Sequence, residues 1–133
     1  VTMTRISPES LGASKGYSNG MLAPAGARVL FVAGQIGWNA EHKLVSDGFA
    51  AQFEQALANA MAVVREAGGE ASNVGRLTIY VVDRHEYNAQ LAEVGAAYRR
   101  IMGRHYPAMA LVEVQALLEP GAKVEIEATA AIP

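Results

Sequence analysis

The hydrophobic period of this chain switches between two values, and that switch limits what it can fold into. "RVLFVAGQIG", Arg28 to Gly37, is β-branched and aromatic, apolar on both faces and closed by glycine, so it reads as a buried strand. From Asp47 the spacing changes. Phe49, Phe53, Leu57, Ala60, Val64 and Ala67 recur every three or four residues, the mark of an amphipathic helix. Asp47 is placed to cap its start, and Gly68-Gly69 to end it in a left-handed conformation. "VGRLTIYVVD", Val74 to Asp83, reads as strand again. Asp83 to Glu86 has capping-box spacing and opens a second helix. Tyr87, Leu91, Val94, Tyr98 and Ile101 form its apolar stripe, and it is expected to run to about Arg104. "AMALVEVQAL" and "KVEIEATAAI" are two last strands, joined through Glu119-Pro120-Gly121. With one short edge strand around Tyr17 to Leu22, the order is β-(β)-α-β-α-β-β. That predicts an α+β sandwich, a sheet with two helices packed on one face.

The chain of 133 residues reads as a single domain, 1–133, long enough to bury a core without staples. Hydrophobic residues make up 51% and charged ones 18%, so disorder is excluded. The net charge of −2 shows no footprint for nucleic acid or an anionic membrane. The absence of cysteine removes disulfides and a thiolate nucleophile and suits a reducing cytosol. "VTMTRISPESLGASKG" is too polar for a signal peptide, and no apolar run approaches membrane length. A cytoplasmic protein is expected.

"HYPAMALVEV" raises the question of function. Pro107 belongs at a strand entrance, because it fixes φ and cannot donate to a ladder. Beyond it Ala108, Ala110, Val112 and Val114 share one face, and Met109, Leu111, Glu113 and Gln115 the other. Met109 reads equally as a core-filler or as the wall of a site. Two mostly apolar sheet faces in a small domain also predict that a second subunit covers the one without helices.

Several chemistries are poorly supported. His42, His85 and His105 stand far apart with no metal-ligand spacing, so no metal is expected. "AGQIGW" has two glycines but no phosphate-loop pattern, and no serine sits in a nucleophile elbow. Arg99, Arg100 and Arg104 read first as a solvated helix end that complements the dipole, with a ligand site, Arg104 above all, as the less favoured alternative. Glu113, Glu125 and Glu127 are placed on adjacent strands, and a carboxylate inside a sheet needs a reason to be there. One reading is an edge-strand charge or an inter-subunit ion pair, with Arg28 or Arg76; the other is a group that orients water or moves a proton. Tyr17, Gln35 and Trp38 either face a ligand or pack at strand ends.

"GYSNG…VLFVAGQI", "QFEQALANAMAVVREAGG", "VGRLTIYVVDRHEY" and "YPAMALVEV…KVEIEATA", taken in this order and spacing, resemble the RidA/YjgF family of reactive enamine/imine deaminases, from about Gly16 to Ala131. The resemblance implies a chorismate-mutase-like sheet and a homotrimer around a central barrel. It implies small-molecule clefts between subunits and no cofactor. It also implies roles for individual residues. Tyr17 matches the cleft tyrosine and Glu125 the glutamate that positions water; both are carried over as catalytic. Gly34 and Gln35 match the family's turn, where Ala33 replaces its serine. Gly95 stands for a helix asparagine, Leu111 for a cysteine, and Met109 for the arginine that binds the substrate carboxylate. With Trp38 these are the expected substrate-binding positions.

Losing that guanidinium removes a charge and five donors, a loss of roughly tenfold to several-hundredfold in affinity for an amino-acid-derived imine. The expected function is therefore hydrolysis of an enamine or imine metabolite in an apolar inter-subunit cleft, rather than the family's 2-iminoacid activity. A non-catalytic metabolite-binding trimer and a ribonuclease or translation-inhibitor activity are the alternatives; the acidic pI weighs against the latter.

Overall fold

A computed structural model describes residues 3–133. Its centre is a four-stranded mixed sheet of order β3-β6-β4-β5. The strands are β3 (Arg28–Ile36), β4 (Val74–Val81), β5 (Ala108–Glu113) and β6 (Val124–Ile132). β6 runs antiparallel to both β3 and β4, whereas β5 lies parallel to β4. Two short strands, β1 (Thr4–Ile6) and β2 (Gly20–Leu22), pair separately. The expected edge strand is thus β2; its partner β1 lies in a stretch that carries no alternation to announce it.

One face of the sheet is covered by α1 (Phe49–Glu66) and α3 (Leu91–Met102), with the short α2 (Arg84–Ala89) leading into α3. Phe49, Phe53, Leu57, Met61 and Val64 of α1 are fully buried, each apolar side chain stabilising the fold by roughly 1.5–3 kcal/mol. They meet Leu77, Ile79, Val124 and Ile126 of β4 and β6, whose side chains lie on this same face, Ile79 opposite Ile126.

Four local expectations need correction. The helix expected from Asp83 to about Arg104 is two helices, broken at Gln90, whose side chain accepts from Ala50 N–H and so bonds to α1. Asp83 does cap the first of them, accepting from His85 and Glu86 N–H, but Glu86 turns away to Lys123. Asp47 does not cap α1; Gly48 occupies that position, and the first-turn N–H of Ala50 is satisfied by Gln90 instead. Gly68 ends α1 as expected, at φ +91°. Lastly, β3 is an edge strand and not a buried one. Val29 is 62% and Phe31 80% exposed, because the sheet has no helix on their side and no strand beyond.

Candidate functional site

The sheet register sorts the expected site residues onto two faces. Met109 pairs with Leu77 and Leu111 with Ile79, both core residues, so Met109 and Leu111 point toward the helices. There a recess of about 160 Å³ opens between Met109, Ile79, Phe53 and the α3 residues Val94, Gly95 and Tyr98. Gly95 lies on its wall, and the guanidinium of Arg99, one turn on, lies over it. A Cβ at Gly95 would come within 3.3 Å of Arg99 Nη1. Met109 is therefore both things its sequence allowed, packed against the core and lining a recess.

Tyr17 is held near this recess by its neighbour. Ser18 is buried, its N–H donates to Pro107 C=O (3.0 Å), and its hydroxyl donates to Tyr106 C=O (2.5 Å). These bonds tie the Gly16–Ser18 loop to the entrance of β5. The Tyr106 ring stacks on Tyr98, centroids 5.2 Å apart. Tyr98 donates its hydroxyl to His105 C=O (2.6 Å), and burial pushes that phenol well above its usual range. Tyr17 itself is 40% exposed and faces a second, larger cavity.

The carboxylates occupy the opposite face. Glu125 pairs with Tyr80, so both project from the side that carries no helix. Gly34 sits against Glu125, and a Cβ there would fall 2.8 Å from the carboxyl carbon. Two other glutamates have structural partners. Glu127 accepts from the Tyr80 hydroxyl (2.5 Å), a bond that raises the phenol's pKa by holding its proton. Glu113 accepts from Arg84 N–H (2.9 Å). Contrary to expectation, Glu113 is not on a strand adjacent to that of Glu125 and Glu127, because β4 separates β5 from β6. Among the described residues nothing hydrogen-bonds the side chain of Glu125.

The glycines of "AGQIG" have packing roles. Gly34 makes room for Glu125, and Gly37 lets β3 approach α1 so closely that a Cβ would lie 2.6 Å from Gln52 Cα. Gln35 bonds back to Ala33 C=O, where β3 bulges against β6. Trp38 stacks on His42, and Asn59 of α1 donates to the carbonyls of Ile36 and Trp38. Among the described residues no three metal-ligating side chains converge.

Tyr17, Gly95, Met109 and Leu111 thus gather at the β5 edge, and Ala33, Gly34, Gln35 and Glu125 at the β3 side. Three strand spacings, roughly 14 Å, separate the edges, and Glu125 and Met109 lie on opposite faces. One copy of the chain does not bring the two groups together.

The family model described as "Endoribonuclease L-PSP" matches residues 7–132 of this chain. The chain belongs to this family, that of the RidA/YjgF proteins. Human 2-iminobutanoate/2-iminopropanoate deaminase is 33% identical over 131 residues, covering 98% of this chain and 88% of that protein. A conserved Rid-family protein of unknown function from Yersinia pestis superposes with a TM-score of 0.85 at 36% identity, covering 99% of this chain and all of that one. Escherichia coli TdcF, solved with bound serine, gives a TM-score of 0.68 at 26% identity over the whole of this chain and 98% of that one. The RidA/YjgF fold is thus shared with proteins named for imine deamination and with one that holds a small amino acid.

Sequence reasoning raised Arg104 but missed Arg5, which lines the same cavity beside Tyr17 from the opposite end of the chain. No spacing rule links positions so far apart. It also missed Gln52, fully buried, which bonds Ser46 and Gly121 C=O and Lys123 N–H and so fixes the turn into β6. A glutamine among the buried positions of the α1 stripe was the available signal.

Proposed function

We propose that this RidA/YjgF protein hydrolyses an enamine or imine with an apolar, aromatic-derived skeleton, in a cleft completed by a second copy of the chain within a homotrimer. The observation that carries the reading is the split just described. Glu125 stands unpartnered on an open face beside Gly34, while the apolar recess of Met109, with the Tyr17 loop at its border, lies on the other side of the sheet. The open face displays Val29, Phe31 and Val112, large apolar groups that a monomer gains nothing by exposing. Packing that face against another copy removes them from water, and a heterologous contact that closes into a three-membered ring brings one copy's Glu125 toward its neighbour's β5 edge.

In such a cleft the Glu125 carboxylate orients a water molecule and takes its proton as the oxygen attacks the C=N carbon. Tyr17 donates its hydroxyl hydrogen toward the imine nitrogen. Glu125 then returns its proton to the nitrogen of the tetrahedral carbinolamine, the C–N bond breaks as the hydroxyl loses its proton to form the carbonyl, and ammonia departs, so one water is consumed for each ammonia released. Ala33, Gln35, Gly95, Leu111 and Trp38 shape the walls. Met109 and Leu111 offer no hydrogen-bond donor, which favours a hydrocarbon skeleton over a small iminoacid.

The test is ammonia release from aromatic-derived imines generated in situ. Glu125→Ala is expected to abolish turnover while ligand-induced thermal stabilisation persists. Unchanged ammonia release from an active preparation removes Glu125 from the mechanism. Stabilisation by ligands with no turnover in the parent protein turns the reading into a binding trimer.

A further inference from the structure

The recess of Met109 shares two lining residues, Gly16 and Tyr106, with a second cavity. That cavity, of about 470 Å³, is roofed by the β1–β2 pair and floored by the turn from α3 into β5. The chemistry changes across that border. The recess is lined by apolar and aromatic groups, whereas the cavity carries Arg5, Arg104 and His105 together with the hydroxyls of Ser14, Tyr17 and Ser72.

Three features make this a site for an anion. No aspartate or glutamate lines the cavity, although acidic residues outnumber basic ones in the chain as a whole. Neither Arg5 nor Arg104 takes part in an ion pair among the described residues, while Arg100 on the same helix as Arg99 is held by Glu54. Arg5 is also oriented, for its Nη2 donates to Ser14 Oγ (2.5 Å) and to Tyr17 C=O (3.5 Å), which leaves Nη1 and Nε for another acceptor. His105 adds less, since its Nε2 is taken up by Val74 C=O at 2.7 Å. Two guanidiniums lining one cavity with no counter-charge repel each other, and an oxyanion between them reverses that term.

We propose that this cavity is the anion subsite of the ligand cleft, with Arg104 and Arg5 as its anchors. It takes the carboxylate or phosphate of a molecule whose hydrocarbon part fills the Met109 recess. The sizes agree, because a dry cavity of about 150 Å³ holds a benzene ring and the recess has about 160 Å³. The charge that position 109 does not supply is then provided about a loop's width away, and the ligand is an aryl-bearing acid longer than a small iminoacid. The proposal rests on the function above only for the occupant of the recess; binding, not turnover, tests it.

The experiment uses the full chain with three probes of matched shape, phenylacetate, phenyl phosphate and neutral phenylacetamide, titrated by calorimetry and by backbone amide shifts. The anions are expected to bind and to shift the amides of Arg5, Tyr17 and Arg104, and the neutral amide to bind at least about tenfold more weakly. Arg104→Met and Arg5→Met should each weaken anion binding about tenfold or more and leave phenylacetamide unchanged. Arg104→Lys should recover part of the loss, and Arg84→Met on α2 should lose nothing. A preference for phenyl phosphate over phenylacetate assigns the anion as phosphate, and the reverse as carboxylate. Equal binding of anions and amide, anion binding that survives both arginine substitutions, or no shift at Arg5 and Arg104 at saturating probe overturns the proposal. Glu125→Ala separates the two readings. Loss of turnover with anion binding intact leaves the subsite standing, and the converse leaves the chemistry standing without it.

Discussion

The carboxylate of Glu125 occupies the space that a side chain on Gly34 would need. The two residues come from neighbouring strands, β3 and β6, at the bulge that interrupts their register between Val32 and Gln35. Gly34 is needed there for clearance and not for a left-handed backbone, since its φ is not among the positive ones. Gly34→Ala should therefore swing the flexible end of Glu125 aside at little cost to the fold. The expected outcome is a fall of tenfold or more in turnover with a melting temperature within a few degrees of the parent, read by steady-state kinetics and a thermal melt. A collapse of both together would mean that Gly34 is structural.

Phe31, 80% exposed on an edge strand, is the residue from which association should be most easily disrupted. Phe31→Asp is expected to shift sedimentation from trimer to monomer and to abolish activity without unfolding the chain. If each cleft draws Tyr17 from one copy and Glu125 from the next, two inactive proteins should complement each other. Mixing unfolded Tyr17→Phe and Glu125→Ala chains and refolding them together should restore about a quarter of the clefts, as expected for random cyclic assembly. No recovery in mixed trimers would place both residues in one copy's site.

Met109→Arg puts a guanidinium at the mouth of the apolar recess, beside Gly16 and Gly95. With Glu125 intact, the variant is expected to gain measurable 2-iminoacid hydrolysis and to lose affinity for hydrocarbon-bearing ligands. Its stability should fall by about 1–3 kcal/mol, because a longer and charged side chain is forced against Phe53 and Ile79. Denaturant unfolding and ammonia release from 2-iminopropanoate read the two effects separately. A folded variant with no gain would make Ala33 and Gly95 the next positions to change.

Tyr98 gives the fold an alkaline limit. Burial disfavours its phenolate, so its folded-state pKa lies above the value in the unfolded chain. The stability it contributes is complete below the unfolded tyrosine pKa near 10, and is lost as pH rises above that value toward the folded one. Tyr98→Phe should cost about 1–2 kcal/mol at neutral pH, through the lost bond to His105 C=O, and should flatten the alkaline decline. Equilibrium unfolding at neutral pH and above pH 10 checks both effects, and absorbance titration should lose its latest-ionising tyrosine.

Much of this architecture follows from the order of residues alone. The period of Phe49, Phe53, Leu57, Ala60 and Val64 determines α1, the alternation of Val124, Ile126 and Ala128 determines β6, and Asp83 sets the start of α2. These signals are local, because amphipathic spacing and caps act within a few residues. The resemblance of "YPAMALVEV…KVEIEATA" to the RidA/YjgF family also named positions 17, 34, 109 and 125 before any geometry was available. Partnership was not local. Whether the apolar run of β3 lies inside the sheet or at its edge depends on β6, about a hundred residues away, taking one side of it and nothing in this chain taking the other. Likewise only the register of β5 against β4 sends Met109 toward the helices while Glu125 faces away from them, since a strand's pattern fixes alternation but not which face is buried. The placing of Arg5 and Arg104 along one cavity is of the same kind, a product of long-range packing that leaves no periodic trace in the sequence.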